Sequence, residues 1–204
     1  QRKRGFSSAD RLSVIKQLDE LNRYRDLLST DGESLVDIVC KALHDIGITT
    51  NKTELGAHVD LVRSNIAVEV YGTTDKIDLS NKKLNQLLIY SQSSDGKLVL
   101  IANTYKRESP SIRKEKNKIH FTPQALQVLK SLKICAMTTQ KLYEMWRESK
   151  LNPKKIEDIK KSISEAEGEL RSWKQVTLIR DIEWKTITIV STTIAALMCL
   201  MAIR

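Results

Sequence analysis

Apolar residues recur along the first part of the chain at three- and four-residue steps. Over 8–29 they are Leu12, Ile15, Leu18, Leu21, Tyr24, Leu27 and Leu28, with polar residues between them. That period sets them on one face of a helix, so an amphipathic helix is predicted, broken at Gly32. Over 34–46, Leu35, Ile38, Val39, Ala42, Leu43 and Ile46 predict a second helix, with Gly47 as its C-terminal stop. The period then changes to alternation. Residues 58–63 and 66–71 predict two short strands joined at Ser64–Asn65. A helix over 81–91 leads into 97–103, a continuous apolar run that suits a buried central strand.

Residues 107–120 lack a core pattern and read as a polar loop. Thr122-Pro123 opens a helix through Leu132, with proline at the first helical position. A second buried strand is predicted over 134–137, then a helix over 139–148 capped by Thr138 or Thr139. A last helix over 154–167 ends at Gly168. Helix, hairpin, helix, strand, helix, strand, helix is an α/β order, with a mixed sheet covered on both faces. A chain of 204 residues accommodates one such domain with extensions. The expected division is an N-terminal helix over 1–30, the α/β domain over 31–172 and a hydrophobic segment over 184–204.

Charge narrows the partners. The net charge of +9 suits an anionic surface such as nucleic acid or phospholipid, with solvated basic faces as the competing reading. Cys40, Cys135 and Cys199 are widely spaced and odd in number, which disfavours zinc and a disulfide framework and fits a reducing, cytoplasmic setting. No apolar stretch follows Gln1-Arg-Lys-Arg, so no secretory leader is expected, and a fragment of a longer protein is one reading.

The hairpin carries the candidate chemistry. A two-residue turn at Ser64–Asn65 sets Asp60 directly opposite Glu69, with Cβ atoms roughly 5 Å apart. His58, Asp60, Val62, Ala67, Glu69 and Tyr71 then share one face, and Val59, Leu61, Ile66, Val68 and Val70 the other. Two like charges in that position call for compensation, and oxygen ligands suit Mg2+ or Mn2+. The competing reading pairs one carboxylate with Lys76 or Arg63, or slips the register.

The run Val59-Asp60-Leu61, then Ile66-Ala67-Val68-Glu69-Val70-Tyr71-Gly72, resembles the PD-(D/E)XK signature of the restriction-endonuclease-like superfamily. Further pieces follow in the family's order. They include Gly32-Glu33-Ser34-Leu35, Leu84-Asn85-Gln86-Leu87, the strand over 97–103, Pro110, Arg113, Phe121-Thr122-Pro123 and Thr138-Thr139. The resemblance implies a three-layer α/β/α fold with a central mixed sheet. It also implies a Mg2+ or Mn2+ ion held by Asp60, Glu69 and Val70, catalytic positions at Asp60, Glu69, Tyr71 and Gln86, and DNA as partner. Such an ion would polarise a phosphodiester and help generate hydroxide.

Two positions depart from that pattern. The motif lysine is replaced by Tyr71, which supplies no fixed positive charge. A glutamate expected after Leu35 is Val36, and Glu33 and Asp37 are turned away at roughly 100° per residue. Lys76, Lys82 or Lys83 could bring a long side chain to the missing position, although a solvated helix end is the preferred reading of Lys82 and Lys83. Asn103 and Arg113 are expected to brace the cleft edge. The expected function is a metal-dependent nuclease-like domain acting on DNA with a degenerate site. The alternative is a catalytically inactive nucleic-acid-binding or scaffolding module of the same fold. Finally, 186–203 carries no charge across 18 residues, about 27 Å as a helix. With Trp184 beside it, this segment predicts a membrane anchor by the tail, with a buried helix or strand of a larger protein as the competing reading.

Overall fold

The computed structural model describes residues 22–54, 59–63, 65–115 and 118–170, together with Leu12, Ile15 and Asp19. Its strands are β1 Asn51–Lys52, β2 Leu61–Arg63, β3 Ile66–Gly72, β4 Lys97–Asn103, β5 Cys135–Thr138 and β6 Gly168–Glu169. The helices are α1 Gly32–Asp45, α2 Lys82–Ser91, α3 Pro110–Glu115, α4 Pro123–Ser131, α5 Thr139–Leu151 and α6 Ile156–Glu165. The strands form one sheet in chain order. β1, β2 and β3 pair antiparallel, and β3 to β6 pair parallel.

Alternation along the strands splits the core in two. Val68, Val70, Val99, Ile101, Cys135 and Met137 join a cluster with Leu35 and Val39 of α1, Trp146 of α5 and Ile159 of α6. Ala67, Leu98, Leu100, Ala102 and Ala136 join the other, with Leu84 and Leu87 of α2 and Leu129 of α4. Each fully buried aliphatic side chain contributes about 1.5–3 kcal/mol of transfer free energy, so both faces of the sheet are well covered.

Local chemistry sets the element ends. Asn81 caps α2 by accepting from the Lys83 and Leu84 amides, and Thr122 and Thr138 cap α4 and α5 in the same way. Gly47, at φ +81°, ends α1 in a conformation that favours glycine. At the end of β3, a Cβ on Gly72 would lie 2.6 Å from Asp31 Cβ, so only glycine lets the segment before α1 cross there.

The expected fold class is corrected in one component. The structure is an α/β domain with a mixed central sheet flanked by helices, and no described helix is long and apolar enough to cross a membrane. The tail segment over 186–203 lies outside the described residues, so neither a membrane partner nor a tethered location is retained. Most of the expected N-terminal helix also lies outside them. Where that segment is described, Tyr24 and Leu27 are fully buried, Leu12 and Ile15 are exposed, and a short 3-10 turn, Asp26–Leu28, precedes α1. The loop expected over 107–120 contains α3, and the edge strands β1 and β6 were not predicted.

A candidate carboxylate and lysine site

The Arg63↔Ile66, Val62↔Ala67 and Leu61↔Val68 pairs follow the expected two-residue hairpin register. The ladder then ends. The Asp60 amide donates to the Val68 carbonyl at 3.1 Å, one residue out of step with the Leu61↔Val68 pair. Asp60 therefore does not sit as a cross-strand partner of Glu69. It lies in a bend, where Thr53 N donates to its carbonyl at 3.1 Å and its Oδ2 accepts from Val70 N at 2.7 Å. The same change moves Val59 to the opposite face from that expected, into the cluster with Ala67 and Leu84. His58 lies outside the described residues.

Glu69 is the middle residue of β3 and is fully buried. It shares its sheet face with Ala67 and Tyr71, the face covered by α2. α2 begins with Lys82 and Lys83 and has no acidic residue in its first turn. Lys82 is exposed to solvent, whereas Lys83 turns inward. Its Nζ lies 2.6 Å from Glu69 Oε1 and 3.5 Å from Asp60 Oδ1. Among the described residues, both Glu69 oxygens are buried with no hydrogen-bond partner, Oε1 having its ion-pair contact with Lys83 and Oε2 none. Burial pushes the Glu69 carboxyl up to about 7, against the opposing pull of Lys83. Burial alone would lower the Lys83 ammonium, but its ion pairs outweigh that effect and raise it.

The structure thus joins Asp60, Glu69 and Val70 in one place and adds Lys83 to them. Gln86 is half-buried one turn further along α2, and among the described residues it makes no hydrogen bond to either carboxylate. Tyr71 is half-buried two residues beyond Glu69, against the α2-side core. Lys76 is exposed and makes no ion pair with the site. Glu33 and Asp37, on the far side of the hairpin, bind Lys52 at 3.2 and 2.5 Å. Arg113 and Asn103 form a brace. Arg113 is 3% exposed and donates to Asn103 Oδ1, the Leu28 carbonyl and the Glu108 carbonyl, each at 2.9 Å.

One signal for Lys83 was present in the sequence. Helix N-termini disfavour cations, so two successive lysines there, with no acid in the turn, form a local inconsistency that a partner elsewhere resolves.

The donor set of Asp60, Glu69 and Val70 does not fit a resident divalent ion as it stands. The free Glu69 Oε2 would suit one, but Lys83 already lies against both carboxylates, and a doubly charged ion beside an ammonium is repelled. Among the described residues no group of three or more His, Cys, Asp and Glu side chains could hold a metal ion. Comparison with protein-family models, curated proteins and solved structures finds no match for this chain. The expectation of a nuclease motif is accordingly corrected to an α/β architecture with a lysine-bridged carboxylate pair.

Proposed function

We propose that this chain is a catalytically inactive module with a restriction-endonuclease-like fold that binds nucleic acid without cutting it. One observation carries the non-catalytic reading: Lys83 meets the charge demand of Asp60 and Glu69 that a catalytic ion would otherwise meet. Tyr71 supports it, because it leaves the motif position without a fixed positive charge, and the Lys83 ammonium that does reach the site is engaged by both carboxylates. The net charge of +9 favours nucleic acid over a neutral scaffolding partner. Lys76 and Lys82 are exposed, in the connection from β3 to α2 and at the start of α2, beside Lys83. They are the cations best placed to meet phosphates.

Fluorescence anisotropy with labelled single- and double-stranded oligonucleotides tests the binding half. The expected outcome is affinity that falls with salt, with a log–log slope that drops by about 1 for each phosphate-contacting lysine removed in Lys76→Ala and Lys82→Ala. Absence of binding at low salt would overturn the nucleic-acid partner. The same oligonucleotides incubated with Mg2+ or Mn2+ are expected to remain intact. Cleavage that Asp60→Ala abolishes would overturn the non-catalytic half.

A further inference from the structure

A buried carboxylate beside a second carboxylate needs positive charge, and in this domain it comes from the chain itself. Glu69 Oε1 and Asp60 Oδ1 both turn toward Lys83 Nζ, and Asp60 Oδ2 is fixed by the Val70 amide. Glu69 Oε2 is a further buried oxygen with no hydrogen-bond partner among the described residues. Solvent reaches the seat from one side: the Lys83 side chain is 32% exposed and that of Asp60 22%, while that of Glu69 is fully buried. Two carboxylates, a free carboxylate oxygen and access for water are what a hard divalent cation takes once an ammonium is gone.

We propose that Lys83 is a built-in counter-ion occupying the cation seat of the Glu69–Asp60 pair, so that the native domain excludes divalent metal and removing this one side chain opens a divalent-cation site. Tethering to α2 keeps the ammonium at high effective concentration, which a dissolved ion must outcompete. Mg2+ also sheds its waters reluctantly. The inference rests on the non-catalytic reading, but its readout is independent of nucleic acid. A chain that binds no oligonucleotide can still pass this test, and one that binds oligonucleotide can still fail it.

The test is calorimetric titration of MnCl2 into the full chain as wild type, Lys83→Ala and the Lys83→Ala, Glu69→Gln double variant. The wild type is expected to give no saturable heat, Lys83→Ala to bind a single Mn2+ ion, and the double variant to lose it. Thermal melts are expected to show stabilisation by Mn2+ in Lys83→Ala alone. Should Lys83→Ala be unfolded in metal-free buffer, circular dichroism with added Mn2+ is expected to show recovery of its helices. Saturable binding to the wild type that Glu69→Gln abolishes would overturn the proposal. So would indifference of Lys83→Ala to Mn2+, whether that variant starts folded or unfolded.

Discussion

Glu69 and Lys83 constrain each other through proton linkage. Burial raises the folded-state pKa of Glu69 from 4.5 to about 7, so the folded domain holds this proton more tightly than the unfolded chain does. Its contribution to stability is full below pH about 4.5 and is lost as pH rises through about 7. Lys83, raised from 10.5, contributes stability that persists until the pH passes above that value. His120 acts in the opposite sense below 6.5, because burial lowers its pKa and the folded domain resists its protonation. Comparing wild type with Glu69→Gln separates these effects. Denaturant melts across pH are expected to show the wild type losing stability relative to Glu69→Gln between about 4.5 and 7. Parallel profiles would show that Glu69 does not carry the shift. At this scale the acids were legible in the sequence, and the base only as one of three candidate lysines. Strand alternation singled out Asp60 and Glu69, but no local pattern tells which of two adjacent lysines faces inward.

Two polar ties hold the segment before α1 onto the domain. Asp45 Oδ2, at the end of α1, accepts from Tyr24 and, at 3.0 Å each, from Trp146 Nε1 and Lys150 Nζ of α5. The Tyr24 and Trp146 rings stack at 3.7 Å. The second tie is the Arg113 fork onto Asn103 and the Leu28 and Glu108 carbonyls. Arg113→Ala removes three hydrogen bonds at once, one of them to the buried Asn103 Oδ1, and is expected to cost at least about 2 kcal/mol of unfolding free energy. Arg113→Lys is expected to rescue little, because an ammonium cannot span the planar fork. Denaturant unfolding reads both, and near-wild-type stability of Arg113→Ala would contradict the bracing role. The elements hardest to read were those that owe their order to such ties. α3 sits in a polar stretch ordered through Arg113, and the two-residue strands β1 and β6 are too short to show alternation. Gly168, expected only as a helix stop, instead pairs with Cys135 at φ +78°.

Across the whole domain, the apolar runs over 97–103 and 134–137 placed the parallel strands at the centre, because strands buried on both faces lose their alternation. The hairpin register was likewise legible from its turn residues, up to Leu61. It failed at Asp60 because a side-chain acceptor, Oδ2, competes for the Val70 amide and ends the ladder. That failure lies at the functional candidate itself, where local rules are most often overridden by tertiary demands. The central claim is that Lys83 and Glu69 are one electrostatic unit within the folded domain. A double-mutant cycle on global unfolding, with chelator present, tests it most directly, using Lys83→Met, Glu69→Met and the double variant. Lys83→Met alone strands a buried carboxylate and is expected to cost roughly 3–5 kcal/mol, with the double variant recovering most of that loss. A double variant whose loss equals the sum of the two single losses would contradict the claim.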